Sequence, residues 1–427
     1  MKVLIISHLP VATQNNMGKT FLSLFSQFDR EEICQLYIYP AIPNVDRCSS
    51  YYRVTDKDVL AWFLGKRNIG GEIDRGLIRA DQGLYERESD EGLYRNRKNK
   101  SPVRRLLRDA MWMLAPWYGK RLKAWLEREK PDCIFVAPGA AKFLYDMALI
   151  IAKDRKIPVV SYVCDEYYFV NTPDSLLDRM RLKLLQRTIQ KLMTESCHLV
   201  VISEELKRAY AETFGVETSV VMTGAQCSIA ETPVVLEAPA EISYFGNIRC
   251  NRYVVLTEIG RELDAINREL GSSFRLKIYT SEKDPQILGE FADIESVKLC
   301  GFVTGQAYEQ AFHNAQLLLH VEAFDESSVD FTKHSVSTKI ADSLASGIPL
   351  VAYGPAEISS MQHLLRNEAA LAATSREELR PMLLKAFGDP AARQKAARNG
   401  LETVKKYHDS RISGQKMRKI LETIREP

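Results

Sequence analysis

The stretch Ser335-Val-Ser-Thr-Lys-Ile-Ala-Asp-Ser-Leu-Ala-Ser-Gly-Ile-Pro-Leu-Val-Ala-Tyr353 places hydroxyls, one cation and one carboxylate at helical spacing. Ser337 and Thr338 fall where the pattern predicts a helix start, with side-chain hydroxyls and free backbone N–H groups. Lys339 lies in the first turn, where a cation is normally unfavourable beside the positive end of the helix dipole. An anion bound at that end makes sense of it, because a helix N-terminus and a lysine together form a phosphate site. Asp342, three residues on and on nearly the same face, can accept hydrogen bonds from sugar hydroxyls. Gly347 and Pro349 then end the helix and lead into a buried strand.

Three further motifs could carry chemistry. Tyr244-Phe-Gly-Asn-Ile-Arg-Cys-Asn-Arg252 ends a strand at Gly246, which permits close approach of backbone to a ligand, and offers Arg249 and Arg252 to an anion. Ser7-His-Leu-Pro-Val-Ala-Thr-Gln-Asn-Asn-Met-Gly18-Lys-Thr is not a P-loop, because the first glycine of that motif would fall at Thr13. Gly18 is left as a glycine at the start of a helix. Val160-Ser-Tyr-Val-Cys164-Asp165-Glu166 places two carboxylates at the carboxyl end of a strand. Asp165 is the first choice for a hydroxyl contact or base, Glu166 the second, and helix capping is the competing role for both. Asp56-Lys57-Asp58 has the form of a D-x-D metal string, but it directly precedes an apolar helix at 59–64. The reading here makes Asp56 an N-cap and Asp58 a dipole partner, with no metal site and no cofactor.

These groups need a scaffold. The 427 residues suggest two or three domains, with 45% hydrophobic and 26% charged residues, a soluble globular composition. The net charge of +3 is too small for a dedicated nucleic-acid binder. The eight cysteines show no C-x-x-C pair and read as free thiols of a reducing cytosol. No apolar run is long enough to span a membrane, and the short apolar start reads as a strand, not a signal peptide. Membrane-spanning, disulfide-rich, disordered and zinc-finger classes are excluded. Strands are predicted at 3–7, 132–137, 158–163 and 198–203, with helices at 19–28, 141–154 and 175–194. Strands at 242–245, 274–280, 297–301, 316–321 and 349–353 follow, with helices at 337–346, 377–387, 390–408 and 414–424. Continuous apolar strands between amphipathic helices mean parallel strands covered on both faces. The predicted class is α/β, two doubly wound Rossmann-like domains facing across a cleft: 1–226, a hinge at 227–240, then 241–408, with a helix at 409–427 returning toward the first domain.

On these motifs the chain resembles the GT-B glycosyltransferases, especially the retaining glycosyltransferase family 4. The resemblance extends over nearly the whole chain and is most specific at 335–353. It implies that Ser337, Thr338 and Lys339 hold the diphosphate of a nucleotide sugar and that Asp342 binds the ribose. The family's E-x7-E pair has His334 at its first position here and Asp342 at its second, so His334 becomes a candidate donor contact. Of the two basic residues that usually follow Gly246, the first is Asn247 and the second is Arg252, with Arg249 a substitute for the missing charge. Gly18 matches the glycine of the loop that reaches toward the donor phosphate. Cys164 stands where the family often has histidine, which leaves Asp165 and Glu166 as catalytic candidates. The implied activity is transfer of a sugar from a nucleotide-diphosphate sugar to an acceptor hydroxyl, without a metal, in polysaccharide or glycolipid assembly. A GT-B epimerase and a silent nucleotide-binding scaffold are the alternatives.

One segment points to a surface. Arg95, Arg97, Lys98, Lys100, Arg104, Arg105 and Arg108 are followed or interleaved by the apolar stripe Val103, Leu106, Leu107, Ala110, Met111 and Leu114, with Trp112 and Trp117 as interfacial aromatics. The expectation is a peripheral contact with an anionic membrane through 95–117, on the cytoplasmic side, serving a lipid-linked or other carbohydrate acceptor.

Overall fold

Val3–Ser7 is apolar and buried along its whole length, so it must lie inside a sheet covered on both faces. The computed structural model, which describes residues 1–13, 15–80, 102–169 and 175–424, shows that sheet. Its strands are β1 (Val3–Ser7), β2 (Ile33–Tyr37), β3 (Ser50–Arg53), β4 (Gly71–Glu72), β5 (Cys133–Ala137), β6 (Val159–Val163), β7 (His198–Val201) and β8 (Thr218–Val220). They run in the order β4-β3-β2-β1-β5-β6-β7-β8, all parallel except β4. A second sheet holds β9 (Glu241–Phe245), β10 (Arg275–Tyr279), β11 (Val297–Gly301), β12 (Leu317–Val321), β13 (Leu350–Tyr353) and β14 (Leu371–Ala373). Its order is β11-β10-β9-β12-β13-β14, parallel throughout.

The chain forms two units, Met1–Thr223 with Ser410–Pro427, and Gly224–Asp409. The segment expected as a hinge, 227–240, is hydrogen-bonded into the second unit: Ala230 donates to Ala345 and Val234 to Gly347, each at 2.8 Å. Gly347 has φ +73°, and a Cβ there would lie 2.9 Å from the Thr232 carbonyl, so glycine is required on both counts. The C-terminal helix Ser410–Thr423 is part of the first unit. Ser26 donates to the Ser410 carbonyl at 2.6 Å, and the Arg418 guanidinium lies 4.4 Å over the Phe28 ring.

Strand β2 escaped the sequence reading because Gln35 interrupts its apolar run. That side chain is fully buried and completely bonded. Its amide donates to Ser7 Oγ at 2.9 Å and to the Leu9 carbonyl, and its Oε1 accepts from Val11 N at 2.9 Å. Gln35 thereby fixes the loop after β1. The helix that follows is Asn16–Leu24, not 19–28, because Asn15 supplies the cap and accepts from Gly18 N at 2.6 Å.

Two sequence expectations are corrected in the N-terminal unit. The cap of helix Asp56–Phe63 is Thr55, in a reciprocal capping box with Asp58, and Asp56 is the first helical residue. Its carboxylate accepts from Arg108 Nε at 2.9 Å and Trp112 Nε1 at 2.8 Å. Trp112 is not interfacial either. It is fully buried and stacks on Phe143 with ring centres 4.2 Å apart. Trp117 is buried as well. Arg95, Arg97, Lys98 and Lys100 lie outside the described residues. Among the described residues no helix is long and apolar enough to cross a membrane.

Gly18 has a packing role that can be tested. A Cβ there would lie 2.3 Å from the Ala12 carbonyl oxygen and 2.5 Å from Ala12 N, both backbone atoms of the loop that Gln35 ties down at the neighbouring Val11 N. Gly18→Ala is expected to cost about 2–3 kcal/mol of stability, read as a lowered urea midpoint. An unchanged midpoint would show that the loop yields freely.

Candidate functional site

In the second sheet the chain runs outward from β9 through β10 to β11, then returns to lay β12 on the other side of β9. The crevice at such a switch point, outside the carboxyl ends of the strands, is where doubly wound sheets bind ligands. Alternate residues of β9 anchor the two flanking layers. Ile242 and Tyr244 join the core that includes Val255, Leu256 and Ile259 of helix Arg252–Leu270. Phe245 joins the core that includes Ile340 and Leu344 of helix Thr338–Ala345. Both helices therefore begin beside the ends of β9 and β12, one on each face of the sheet. A cavity of about 110 Å³ opens there, with Asn247, Arg252, His320, Glu322, Ser337 and Lys339 in its wall.

Lys339 and Gly246 meet in this cavity. A Cβ on Gly246 would lie 2.8 Å from Lys339 Nζ and 2.9 Å from Tyr244 Oη, so the ammonium approaches the chain where only glycine leaves room. Tyr244 Oη is held by donating to the Asn247 carbonyl at 2.7 Å. Lys339 makes no hydrogen bond or ion pair among the described residues. Lys339 is exposed as a residue, but desolvation of its ammonium against the cavity wall, and after it the Arg252 charge, lowers the amine to about 8. At the head of the same helix Ser337 is the cap residue, yet its side chain makes no capping bond. An unpaired ammonium, a free hydroxyl and a helix N-terminus converge on one cavity. That arrangement suits an oxyanion.

Arg252 is more constrained. Its Nη2 lies 2.7 Å from Glu322 Oε2, and its Nε reaches the Val321 carbonyl at 3.3 Å. Burial pushes the Glu322 carboxyl upward, against the pull of the Arg252 guanidinium. His320 Nε2 lies 3.1 Å from Ser360 Oγ. Burial, with the Arg252 and Lys339 charges, lowers this imidazole to about 3, so it is neutral at ordinary pH. Glu322 and His320 were not singled out in the sequence. The available signal was their alternation at the end of the apolar run Leu317-Leu-Leu-His-Val-Glu322, where a covered strand has no other use for polar side chains.

The remaining donor-side candidates divide. Arg249 is not in the cavity wall: Cys250 and Asn251 are both left-handed, with φ 52° and 53°, and Arg249 forks onto Glu282 at 2.7 Å. That bond holds the Glu282 carboxyl at about 2. Asn247, which replaces the expected first cation, instead shapes the loop by accepting from Arg249 N at 2.8 Å. Asp342 lies one turn beyond Lys339, outside the cavity wall, and accepts from Gln226 N at 2.6 Å. Thr338 is exposed and His334 half-buried in the preceding turn; neither lines the cavity. Gly18 belongs to the other unit.

In the N-terminal unit, Asp165 and Glu166 follow β6. Glu166 Oε1 accepts from the backbone N–H groups of Tyr168 and Phe169, so it caps the turn. This is the capping role that the sequence set against catalysis, and it engages one of the two carboxylate oxygens. Asp165 stands at the rim of a small pocket with Tyr145, Tyr162, Tyr167 and Tyr210 around it. Asp165 is exposed as a residue, but partial desolvation at the pocket rim raises its carboxyl, and the Tyr167 hydroxyl partly offsets the rise.

Comparison with known proteins agrees with this architecture. Residues 79–225 match a family model described as Glycosyltransferase Family 4, and residues 261–421 match one described as glycosyl transferase-like. No curated protein sequence matches the chain. Among solved structures, sucrose-phosphate synthase from Thermosynechococcus elongatus is similar, with a TM-score of 0.62 at 11% identity, covering 99% of each chain. The Anabaena protein HepE in complex with UDP gives 0.63 at 12% identity, over 99% of this chain and 100% of that one. A trehalose-phosphate synthase from Burkholderia xenovorans in complex with glucose-6-phosphate gives 0.60 at 10% identity, with coverage of 99% and 100%. At these identities the structures speak for the fold, and the two sequence models speak for the family. The chain is a glycosyltransferase of the GT-B type, with a Family 4 region in its N-terminal half.

Proposed function

We propose that the protein transfers a sugar, with retention of configuration and without a metal, from a nucleotide-diphosphate sugar to a carbohydrate hydroxyl, free or lipid-linked. The setting is polysaccharide or glycolipid assembly on the cytoplasmic side of a membrane. The observation that carries this reading is the unpaired Lys339 ammonium over Gly246 at the head of a helix. As the sugar leaves, negative charge grows on the diphosphate. Lys339, Ser337 and the helix start are preorganised to stabilise it, which lowers the barrier. Arg252, already held by Glu322, adds a fixed guanidinium edge. In this reading Asp342 takes the ribose hydroxyls and Asp165 contacts the acceptor hydroxyl, with its raised pKa suiting proton acceptance.

Uridine nucleotides are the first probe, since the Anabaena protein is complexed with UDP and with UDP-glucose. An ammonium that titrates near 8 holds a diphosphate only while protonated. UDP affinity is therefore expected to be full at neutral pH and to fall as pH rises through 8, approaching about tenfold per further unit. Lys339→Ala should weaken UDP binding by about 10- to 100-fold, and Lys339→Arg should remove the pH dependence. Isothermal calorimetry across this range reads both. Binding unaffected by Lys339→Ala would remove the helix from the donor site.

Asp165→Asn keeps the size and removes the charge. Its transfer rate should drop by about 100-fold or more while the UDP dissociation constant stays within a factor of two or so. Product analysis with and without acceptor measures this and separates transfer from epimerisation. Equal rates for variant and native protein would leave Asp165 with a structural role only.

A further inference from the structure

The helix Lys120–Glu129 packs on β3 through Trp125, whose indole N–H donates to Ser50 Oγ at 2.9 Å. Its last residue, Glu129, meets Lys2 Nζ and Ser49 Oγ, each at 2.9 Å, at the amino ends of β1 and β3. Its first turn therefore stands at the carboxyl edge of the sheet. The residues before β4 arrive at the same edge, because Gly71 pairs with Arg53, the last residue of β3. The two segments border a cavity of about 190 Å³, with Arg67, Asn68, Trp117, Gly119, Lys120 and Arg121 in its wall.

That wall holds three cations and, among the described residues, no carboxylate. Arg67, Lys120 and Arg121 make no hydrogen bond or ion pair there. The helix start is open as well, since its cap residue, Gly119, has no side chain to close the first turn. Trp117 is only 7% exposed, yet its indole N–H has no hydrogen-bond partner among the described residues. A buried indole N–H normally finds one, as Trp112 does on Asp56 and Trp125 on Ser50. The Trp117 nitrogen is not enclosed by protein, so it opens on the cavity that its ring lines. The acids whose charge reaches Tyr52 together with that of Arg121 are engaged elsewhere: Asp58 in its capping box and Glu72 with Arg128 at 2.6 Å.

We propose that this cavity is a second binding site, for a sugar ring that carries an oxyanion, either a phosphate or a carboxylate. Unpaired cations, an unpaired indole N–H and the free N–H groups of an uncapped helix start all ask for negative charge. Size adds the ring. A cavity of about 150 Å³ already houses benzene, so this one has room for more than a bare anion. Asn68 then supplies the recognition that a sugar needs, because its amide both donates to and accepts from hydroxyls. The cavity shares no wall residue with the Asp165 pocket. Their strands, β3 and β6, stand four steps apart in the sheet, on the order of 19 Å at the usual strand spacing. The site is therefore separate from both pockets of the proposed reaction and does not rest on the transferase reading.

The test is calorimetric titration of the full chain, without nucleotide, with glucose 6-phosphate, glucuronate, glucose, inorganic phosphate and benzoate. At least one of the two anionic sugars is expected to bind, and the tighter of them identifies the oxyanion. Glucose, phosphate and benzoate should each bind about tenfold more weakly or not at all. Arg67→Gln and Arg121→Gln should each weaken the anionic sugar by about tenfold or more, with unchanged melting temperatures because both side chains are exposed. Trp117→Phe, which keeps a ring and removes only the N–H, should weaken it by about fivefold. UDP affinity should stay unchanged in the two arginine variants. Failure of both anionic sugars to bind overturns the inference, as does phosphate or benzoate binding equally well. Binding that survives both arginine substitutions but is lost in Lys339→Ala also overturns it, because the ligand would then sit in the donor cavity. Anionic-sugar binding by a protein that fails to bind UDP upholds this site and counts only against the transferase reading.

Discussion

The ion pair between Arg252 and Glu322 joins the two strands whose reversal creates the C-terminal cavity. Arg252 opens the helix after β9, and Glu322 directly follows β12. The carboxylate is buried, and β13 closes behind it: a Cβ on Gly354 would lie 2.9 Å from that of Glu322. A buried charge deprived of its partner is costly, so the pair holds both loop ends in one geometry. It also sets the charge of the site. With Arg252 already compensated, Lys339 is the cation left in the cavity wall among the described residues, and its pKa is lowered by desolvation first and by the Arg252 charge second.

Much of this frame was legible from the chain itself. Apolar runs such as Val3–Ser7 and Leu317–Val321 can only be covered parallel strands, and a lysine in the first turn of a helix asks for an anion. What escaped was the part that depends on contacts distant in sequence. Gln35 looks like an interruption until the Val11, Ser7 and Leu9 groups it satisfies are in view. Arg249 and Arg252 look interchangeable. The left-handed pair Cys250 and Asn251 separates them, sending one to Glu282 and the other to Glu322. No local propensity announces two successive non-glycine residues in that conformation.

Asp165 and Glu166 illustrate a finer limit. Adjacent carboxylates at a strand end share composition, environment and a raised pKa. Geometry alone divides them. Glu166 folds back onto the N–H groups two and three residues ahead, the commonest local use of an acid in a turn. Asp165 makes no such backbone bond, which leaves its oxygens toward the tyrosine-walled pocket. The same one-residue distinction moved the cap of the second helix from Asp56 to Thr55, and released Asp56 to receive Arg108 and Trp112.

Periodicity in 102–114 correctly marks an amphipathic helix, but a period does not say which side faces in. Three groups decide it. Trp112 brings a large ring and an indole N–H that finds Asp56, Arg108 closes on the same carboxylate and on the Phe143 face, and Asp109 meets Arg181. Together they bury aromatic area and satisfy every charge they bring inward, which a stripe of Val103, Leu107 and Leu114 could not do against the same wall. The aliphatic side is then displaced to the surface, at the cost of leaving it in water. Val103, Leu107 and Leu114 accordingly stand exposed, the reverse of the side that an amphipathic period alone would turn inward.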